Sequence, residues 1–476
     1  MKRFTTTFFL LMFLFGNTTF LLAEETSIKS NDGQGFDLTQ PLTQENVIGA
    51  YFGYTNVGNQ SYVGLRLEPD LNFGKLGIGL DIPVMFNIKD GKFRTDEYKD
   101  GVAWLRMIRS LSWGFKKQDP LYLKFGKLSG AYLGYGMLIN NYMNSPSYEK
   151  RKVGAEIDYC YKDFIGIEAL YSDFDMKSLN LLGVRPYIKP LNFTGIPIIK
   201  TLDIGLQYVT DHDKTGNVIS TDLNSNHNTF LGSKGMNAYA MDMGITLINM
   251  RSARLVLFAS GAMLQKNTNP AFIDSVAKRS TTTEFAEAAR NYQNGYGASA
   301  GVDFKFKFLG NMVRLDTRLE RLWHSDYFIP QFFDVSYEIN KDERIMSLIN
   351  ARQMKGIYGY LGASVLDKIK VGGGLMLPDE ISEANPALLR LDLDGSEIMD
   401  NIVLRGSYIK GGLTNLESAF TLDGNSLLYI RAGYKLYSFM MVGMDYRWTW
   451  AANSEGKYVP SSYWAPFVGF SLDLPF

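Results

Sequence analysis

The residues that could perform nucleophilic or acid–base chemistry are few in this sequence. It contains three histidines, His212, His227 and His324, and a single cysteine, Cys160. His324 is followed directly by a serine and an aspartate, but a catalytic triad requires side chains that converge in space, which adjacency in sequence does not supply. The sequence therefore predicts no catalytic residues and a protein that is not an enzyme.

One polar segment carries oxygen atoms at the spacing of a calcium-binding loop. Asp211, Asp213, Thr215 and Asp222 occupy positions 1, 3, 5 and 12 of that pattern, and Gly216 lies at its sharp turn. The segment departs from the pattern at Thr215, where Asp or Asn is usual, and at Asp222, where the longer Glu is usual. We therefore expect a protein without a cofactor, with calcium at this loop as the alternative.

The balance of charge argues against a nucleic-acid partner. The chain has 49 lysines and arginines against 49 aspartates and glutamates. It therefore has no net positive field that would attract a polyanion. We expect no nucleic-acid binding.

The N-terminus has the pattern of a secretory signal peptide. Lys2 and Arg3 precede an apolar run, Phe8–Leu22, that ends shortly before a pair of glutamates. Asparagine and threonine interrupt the run, so it is too short and too polar to anchor the chain across a hydrocarbon layer of about 30 Å. The sequence predicts a signal peptide over residues 1–23 and a periplasmic N-terminal segment over residues 24–46.

Alternation of apolar and polar residues with a period of two recurs along the rest of the chain. In the last segment, 464–476, one face is apolar and uncharged, and the opposite face carries Asp473 and Ser471 among mostly small residues. In 312–320, Val313, Leu315, Thr317 and Leu319 oppose the charged residues Arg314, Asp316, Arg318 and Glu320. Such segments have about the ten residues that a tilted strand needs to cross a bilayer. The predicted strands are 47–54, 61–71, 76–88, 102–113, 121–128, 150–160, 164–174, 180–188, 201–210, 237–247, 254–264, 296–308, 312–323, 356–366, 368–377, 387–394, 401–410, 426–437, 439–449 and 464–476.

The lengths of the connections indicate a barrel rather than a soluble sandwich. Connections longer than about twelve residues, such as 129–149, 265–295 and 324–355, all fall on one side, and nearly all turns on the other side are tight. A soluble sandwich also alternates, but the faces that would form its polar exterior here carry many glycines beside the charges. The predicted fold class is all-β: a single closed antiparallel transmembrane β-barrel of about 20 strands (18 to 22) over residues 47–476.

These features together resemble the outer-membrane β-barrels of diderm bacteria, the superfamily that includes the porins. The resemblance rests on the signal peptide, on the alternating last strand that ends in the aromatic Phe476, and on the order of short turns and long loops. It implies a bacterial outer-membrane location with both termini periplasmic, contact with membrane lipid and lipopolysaccharide, and recognition by the barrel-assembly machinery. Oligomerisation is left open, and no specific family is matched.

Charged residues on the faces opposite the apolar ones are predicted to line a lumen. Segregated charges would select solutes by their charge, whereas pairing between neighbouring strands would only neutralise and hydrate the wall. Both alternatives stay open at this point. The pore-lining candidates are Arg66, Glu68, Asp70, Asp81, Arg314, Asp316, Arg318, Glu320, Arg431, Lys435, Asp445 and Arg447.

A connection rich in glycine, asparagine and tyrosine, residues 129–149, follows the fifth predicted strand. Gly134 and Gly136 within it are not a phosphate cradle, because no strand-to-helix unit surrounds them. Long loops frequently carry function, so one hypothesis folds this connection into the lumen as a constriction; the alternative is a strand tip with an aromatic girdle. The constriction candidates are Tyr132, Tyr135, Asn140, Asn141 and Tyr142.

The function that these expectations favour is passive transport. A barrel of about twenty strands encloses a lumen too wide for wall side chains alone to fill, so small hydrophilic solutes would diffuse through a porin-like channel. The alternative is a closed or plugged barrel that acts as a surface adhesin or scaffold through its long outer loops. The positions of those loops distinguish the two.

Overall fold

The computed structural model describes most of the chain after residue 46. The predicted signal peptide and periplasmic segment lie outside the described residues. Within these residues, no helix has the length and apolar character needed to cross a membrane. The described parts are 47–57, 60–99, 101–117, 119–145, 151–174, 180–212, 218–220, 227–229, 236–250, 252–266, 287, 290–308, 312–338, 341–366, 368–382, 385–395, 401–452 and 458–473.

Twenty antiparallel strands form one closed sheet. Each strand pairs with its neighbours in chain order, and the first pairs with the last from Val47↔Asp473 to Gly53↔Phe467. Closure removes the sheet edges, so that the strands have partners on both sides. The strands are β1 (Val47–Val57), β2 (Gln60–Phe73), β3 (Leu76–Leu80 and Ile82–Asn87), β4 (Ile108–Trp113), β5 (Leu121–Gly126), β6 (Gly154–Tyr161), β7 (Ile165–Tyr171), β8 (Leu182–Ile188), β9 (Asp203–Asp211), β10 (Met236–Asn249), β11 (Ala253–Gln265), β12 (Gly295–Phe308), β13 (Val313–His324), β14 (Met354–Val365), β15 (Ile369–Pro378), β16 (Ala387–Asp394), β17 (Ile402–Leu413), β18 (Ser426–Tyr437), β19 (Met440–Ala452) and β20 (Tyr458–Asp473).

The helices of the described residues are short and lie in the connections. The longer of the two α-helices that the structure describes from end to end has ten residues. Two short strands, Val218–Ser220 and His227–Thr229, pair with each other and are separate from the barrel sheet. The helical segments are α1 (Gly101–Leu105), α2 (Lys341–Asn350) and the 3-10 turns Asp96–Tyr98, Ile199–Thr201 and Glu417–Phe420.

The two ends of the barrel differ in the length of their connections. We call the end where β1 begins and β20 ends the terminal end, and the opposite end the loop end. Connections at the terminal end range from two residues, between β2 and β3, to fourteen, between β8 and β9. The longest connections, 127–153, 266–294 and 325–353, all lie at the loop end. The predicted fold class and strand number are confirmed, and the longest connections share one end as predicted, but the terminal-end connection between β8 and β9 is two residues longer than its predicted bounds, 189–200.

One predicted strand, 102–113, is wrong over its first half. Residues Gly101–Leu105 form α1, and the strand begins only at Ile108. Arg106 donates its N–H to Val102 O at 3.1 Å, which closes a helical turn. Trp104 and Tyr98 pack edge to face at 5.4 Å. A short apolar run does not distinguish one helical turn from the start of a strand.

The outer wall of the barrel is apolar and its inner face is polar. Leu206, Leu319 and Leu361 are each more than half exposed on the outside, whereas Glu320, next to Leu319, is buried. This arrangement is that of a barrel that spans a membrane. A shift of one residue would turn Glu320 outward into an apolar surface, so the register of β13 is strongly specified.

Candidate functional site

Two loop-end connections fold into the barrel and pack against each other. They are residues 127–145, between β5 and β6, and the described residues of 325–353, between β13 and β14; we call them together the plug. Gln331 donates its N–H to Met137 O at 2.9 Å, which joins the two backbones. The plug is therefore one unit built from two distant parts of the sequence.

The plug shares a hydrophobic core with one side of the barrel wall. Aromatic rings dominate it: Phe333 packs against Tyr337 at 4.9 Å and against Phe332 at 5.0 Å, both edge to face. The wall residues of this core come from β7 and β9 to β11 and from the ends of their connections, and β5 leads directly into the plug, so we call β5 to β13 the filled side. The core consists of Leu128, Ala131, Leu133, Met137, Leu138, Ile139, Tyr142, Leu170, Leu181, Val209, Met236, Ala238, Ala240, Ala262, Leu264, Tyr292, Phe328, Phe332, Phe333, Tyr337, Leu348 and Ile349.

A buried carboxylate, Glu338, ties the two halves of the plug together. It accepts the Tyr142 hydroxyl at 2.6 Å on one oxygen and the Lys152 ammonium at 2.8 Å on the other. Burial, and then the charge of Glu338, hold the pKa of Tyr142 well above its ordinary value. The phenol therefore stays protonated and keeps donating this hydrogen bond.

A second buried carboxylate, Asp211 at the loop end of β9, anchors the plug to the wall. It accepts hydrogen bonds from Tyr337 Oη and from Lys341 Nζ, each at 2.8 Å. Lys341 Nζ also lies 3.6 Å from Glu338. Because the buried charges of both signs are paired, removing one partner would leave an uncompensated charge in the core.

The tip of the plug reaches far towards the terminal end. Gly134 donates its N–H to Glu168 at 2.9 Å, and Tyr135 donates its hydroxyl to Asp203 Oδ1, at the terminal end of β9, at 3.1 Å. Arg318 donates to the carbonyl of Tyr135. Gly134 has a φ of +57°, a conformation that favours glycine.

The terminal-end connection between β4 and β5 folds inward to meet the plug. Lys116 Nζ donates to Tyr132 O at 2.7 Å and to the carboxylate of Glu156, and Lys117 Nζ donates to Gly134 O at 3.3 Å. Burial disfavours the charge of Lys116, but Glu156 and its neighbouring carboxylates outweigh this effect and raise the lysine pKa. Connections from both ends of the barrel therefore fill the lumen along the filled side.

Beneath the plug, one arginine of β8 gathers three wall carboxylates. The guanidinium of Arg185 donates to Asp242 and Glu168 at 2.9 Å each and to Asp203 at 3.3 Å. Gln207 also donates to Asp242. Arg185 has no exposed side-chain surface, so this cluster is part of the closed interior of the filled side.

The remaining wall, strands β14 to β20 and β1 to β4, carries a ladder of charged side chains; we call it the open side. Arg66 pairs with Asp81 at 2.6 Å, and Arg431 pairs with Asp445 at 2.8 Å. Among the charged residues of this inner face whose side chains the structure describes, basic groups outnumber acidic ones. The basic ones are Arg66, Arg109, Arg151, Lys370, Arg390, Arg405, Arg431, Lys435 and Arg447, and the acidic ones are Glu68, Asp70, Asp81, Asp392, Asp394 and Asp445.

The pore-lining candidates fall into two groups. Arg318 and Glu320, which pair at 2.8 Å, lie beside the plug tip. Asp316 lies 3.6 Å from Lys305 nearer the terminal end of β13, the strand that also carries Arg314. The other candidates belong to the open side: Arg66, Glu68, Asp70, Asp81, Arg431, Lys435, Asp445 and Arg447.

Of the open-side basic residues that are not among the candidates, two lie outside the strict alternation. Arg109 pairs with Asp70, and Arg151 with Asp81 at 3.1 Å. A register shift between Gly79 and Leu80 breaks the alternation opposite β4, and Arg151 lies in a connection. Neither position therefore follows the strict period that identified the other candidates.

All five constriction candidates lie within the plug. Tyr132 receives Lys116 Nζ over its ring at 3.7 Å from the centroid, and Tyr135 and Tyr142 make the contacts already described. Asn140 is buried. Asn141 adopts the left-handed conformation, with a φ of +53°, which asparagine tolerates better than most residues.

The calcium candidate lies mostly outside the described residues. Of its four oxygen-bearing positions, Asp213, Thr215 and Asp222 fall there. Asp211 is described, and it binds Lys341 and Tyr337. Within the described part of the chain, no three His, Cys, Asp or Glu side chains come together as a metal site.

Comparisons with known proteins bear on the fold alone. No family model and no curated protein matches the chain. It is similar to solved outer-membrane barrels at low identity. The ferric-catecholate import receptor Fiu of E. coli K12 matches at 9% identity over 90% of this chain and 82% of its own, with a TM-score of 0.35. Wzi of Escherichia coli, a carbohydrate-binding barrel involved in capsule assembly, matches at 10% over 91% and 85% (TM-score 0.35), and OccK2 of Pseudomonas aeruginosa matches at 8% over 90% and 97% (TM-score 0.30).

Proposed function

We propose that this protein is a porin-like channel of the bacterial outer membrane through which small hydrophilic solutes diffuse passively. The observation that carries the proposal is the asymmetry of the lumen. The hydrophobic core of the plug is built against the filled side, while the open side presents paired charges. A polar wall of this kind keeps a lumen hydrated.

The plug would set the size limit of the path, and the open side would set its charge preference. Long loops folded into a barrel narrow it from inside, and fixed charges at the narrow point bias the ions that pass. Because basic groups outnumber carboxylates on the open side, the proposed channel prefers anions modestly. It needs no cofactor and performs no catalysis.

The proposed orientation places the terminal end, and both chain termini, in the periplasm. The short connections of outer-membrane barrels lie on that side and their long loops lie outside. Lipopolysaccharide would then surround the loop end, and the barrel-assembly machinery would insert the chain through its last strand. Association of several copies stays outside the proposal.

The test is single-channel conductance of the refolded chain, residues 24–476, in a planar bilayer. Stable conductance steps support the channel. Correct folding is judged by circular dichroism and by electrophoresis in detergent without heating, in which a folded barrel stays intact. A barrel that passes both checks but shows no conductance would overturn the proposal.

A plugged barrel that acts as a surface adhesin or scaffold is the second candidate. The observation that favours it is the loop-end connection between β17 and β18, where Leu416 is 58% and Phe420 75% exposed. Exposed apolar side chains on a loop are typical of a surface that binds another macromolecule. Silence in the bilayer together with specific retention of cell-surface material by the wild type, lost in Phe420→Ser, would favour this function.

A further inference from the structure

The longest terminal-end connection, residues 189–202 between β8 and β9, exposes apolar side chains rather than polar ones. Phe193 is 82% exposed, and Ile196 and Ile198 are 52% and 44% exposed. We call these fourteen residues the apolar segment. Short turns on this side of a barrel are ordinarily polar. The apolar composition of this segment therefore indicates that another surface covers these side chains.

The backbone of the apolar segment satisfies much of its own hydrogen bonding. Thr194 N–H donates to Leu191 O at 3.0 Å, and Thr201 N–H donates to Ile198 O at 3.1 Å. The hydroxyl of Thr201 accepts the N–H of Thr246 at 2.9 Å, which fixes the end of the segment against β10. Internal hydrogen bonds reduce the free energy needed to place a turn where little water is present.

The wall directly above the apolar segment is short. Strands β7 and β8 have seven residues each, against fourteen in β10. Seven residues extend over about 24 Å, and at a tilt of about 40° they contribute about 18 Å of height, less than the apolar band of about 25 Å. Exposed Ile188, at the end of β8, joins the outer wall directly to the segment. The segment therefore continues the lipid-facing surface where the strands end too soon.

Basic side chains flank the apolar segment. Lys200 lies within it, and Lys162 lies in the adjoining turn between β7 and its neighbour β6; both are exposed. Lys189 pairs with Asp163. The segment is held next to that turn by Asn192, whose amide donates to Lys162 O at 3.3 Å. Lysines beside an apolar surface are suited to the phosphates of a lipid headgroup layer.

We propose that the apolar segment is a lipid anchor that lies in the interface of the membrane leaflet at the terminal end, with its isoleucines and Phe193 among the acyl chains and its lysines at anionic headgroups. The occupant of this surface is a phospholipid layer, not a second copy of the chain or a partner protein. The anchor extends the apolar height of the barrel on its short side.

The test places an environment-sensitive fluorophore in the segment of the full chain. Cys160 is the one cysteine, so Cys160→Ser provides the background for Phe193→Cys and, as a second site, Ile196→Cys. The matched control is Asn401→Cys, an exposed polar position in another terminal-end connection. Each variant is refolded into vesicles of phosphatidylcholine and phosphatidylglycerol, and circular dichroism confirms that it is folded.

Two quenchers of the fluorescence are compared: lipids with a spin label near the headgroup, and iodide in the aqueous phase. At residues 193 and 196 we expect the lipid quencher to act at least about twofold more strongly than on the Asn401→Cys control, with iodide weaker than on the control, as for a residue in the interface. Strong quenching by iodide would show that the segment faces water. Protection from both quenchers would show that protein covers it; either result overturns the proposal.

Discussion

At the residue scale, Arg185 shows how much a single buried charge can contribute to the stability of the fold. Because its guanidinium neutralises carboxylates that include Asp242 and Glu168, Arg185→Ala should lower the free energy of unfolding by about 3 to 5 kcal/mol, the range for breaking a buried ion pair. Guanidinium unfolding in detergent micelles measures this. The control is Arg321→Ala, whose ion pair with Asp379 is partly exposed and should matter little. Equal losses in the two variants would contradict the buried role of Arg185.

Tyr142 gives a prediction about alkaline pH. Its pKa is raised well above the ordinary value by burial and by Glu338. Its contribution to the stability of the fold is therefore complete below the pKa of the unfolded chain, about 10, and is lost as pH rises through the higher pKa of the folded protein. In Tyr142→Phe, the tyrosinate absorbance of the folded protein should match the wild type up to about pH 11, because this phenol stays protonated there. A smaller absorbance change in the variant near pH 10 would show that Tyr142 ionises normally.

At the scale of elements, the alternation of apolar and polar residues predicts the strands but not the plug. Each strand buries one face and exposes the other, so 426–437 and 387–394 were predicted with the bounds that the structure gives. No local pattern encodes the contact between Tyr142 and Glu338, which are 196 residues apart. Helix α2 was predicted only as part of a long loop, because its role depends on the lumen around it.

The half of the plug that lies between β13 and β14 can be replaced without cutting a barrel strand. Replacing residues 328–350 with a short glycine–serine linker deletes Phe332, Phe333 and Tyr337 from the shared core. We expect a folded barrel with a conductance several times that of the wild type, because the filled side would take up water. Planar-bilayer recording measures this, and shortening the connection 414–425 is the control. Unchanged conductance would place the solute path outside the plug's influence.

At the scale of the whole molecule, the net charge does not reveal how charges are distributed inside the lumen. Equal numbers of basic and acidic residues leave no field at a distance, yet folding sorts these residues between two sides of one lumen. Arg405 and Arg431 lie directly opposite each other on β17 and β18, although like charges at such positions are unfavourable. Alternation along the chain does not reveal this sorting, because it depends on which part of the wall the plug covers.

The sorting predicts anion preference. In a salt gradient, the reversal potential of the wild type should have the sign of anion selectivity, and Arg405→Gln with Arg431→Gln should move it towards zero, because both positions face the open side. The control is Lys355→Gln, an exposed residue on the outer face of β14, which should leave the potential unchanged. Cation preference in the wild type would mean that the carboxylates of the open side, such as Asp445, control the narrowest point.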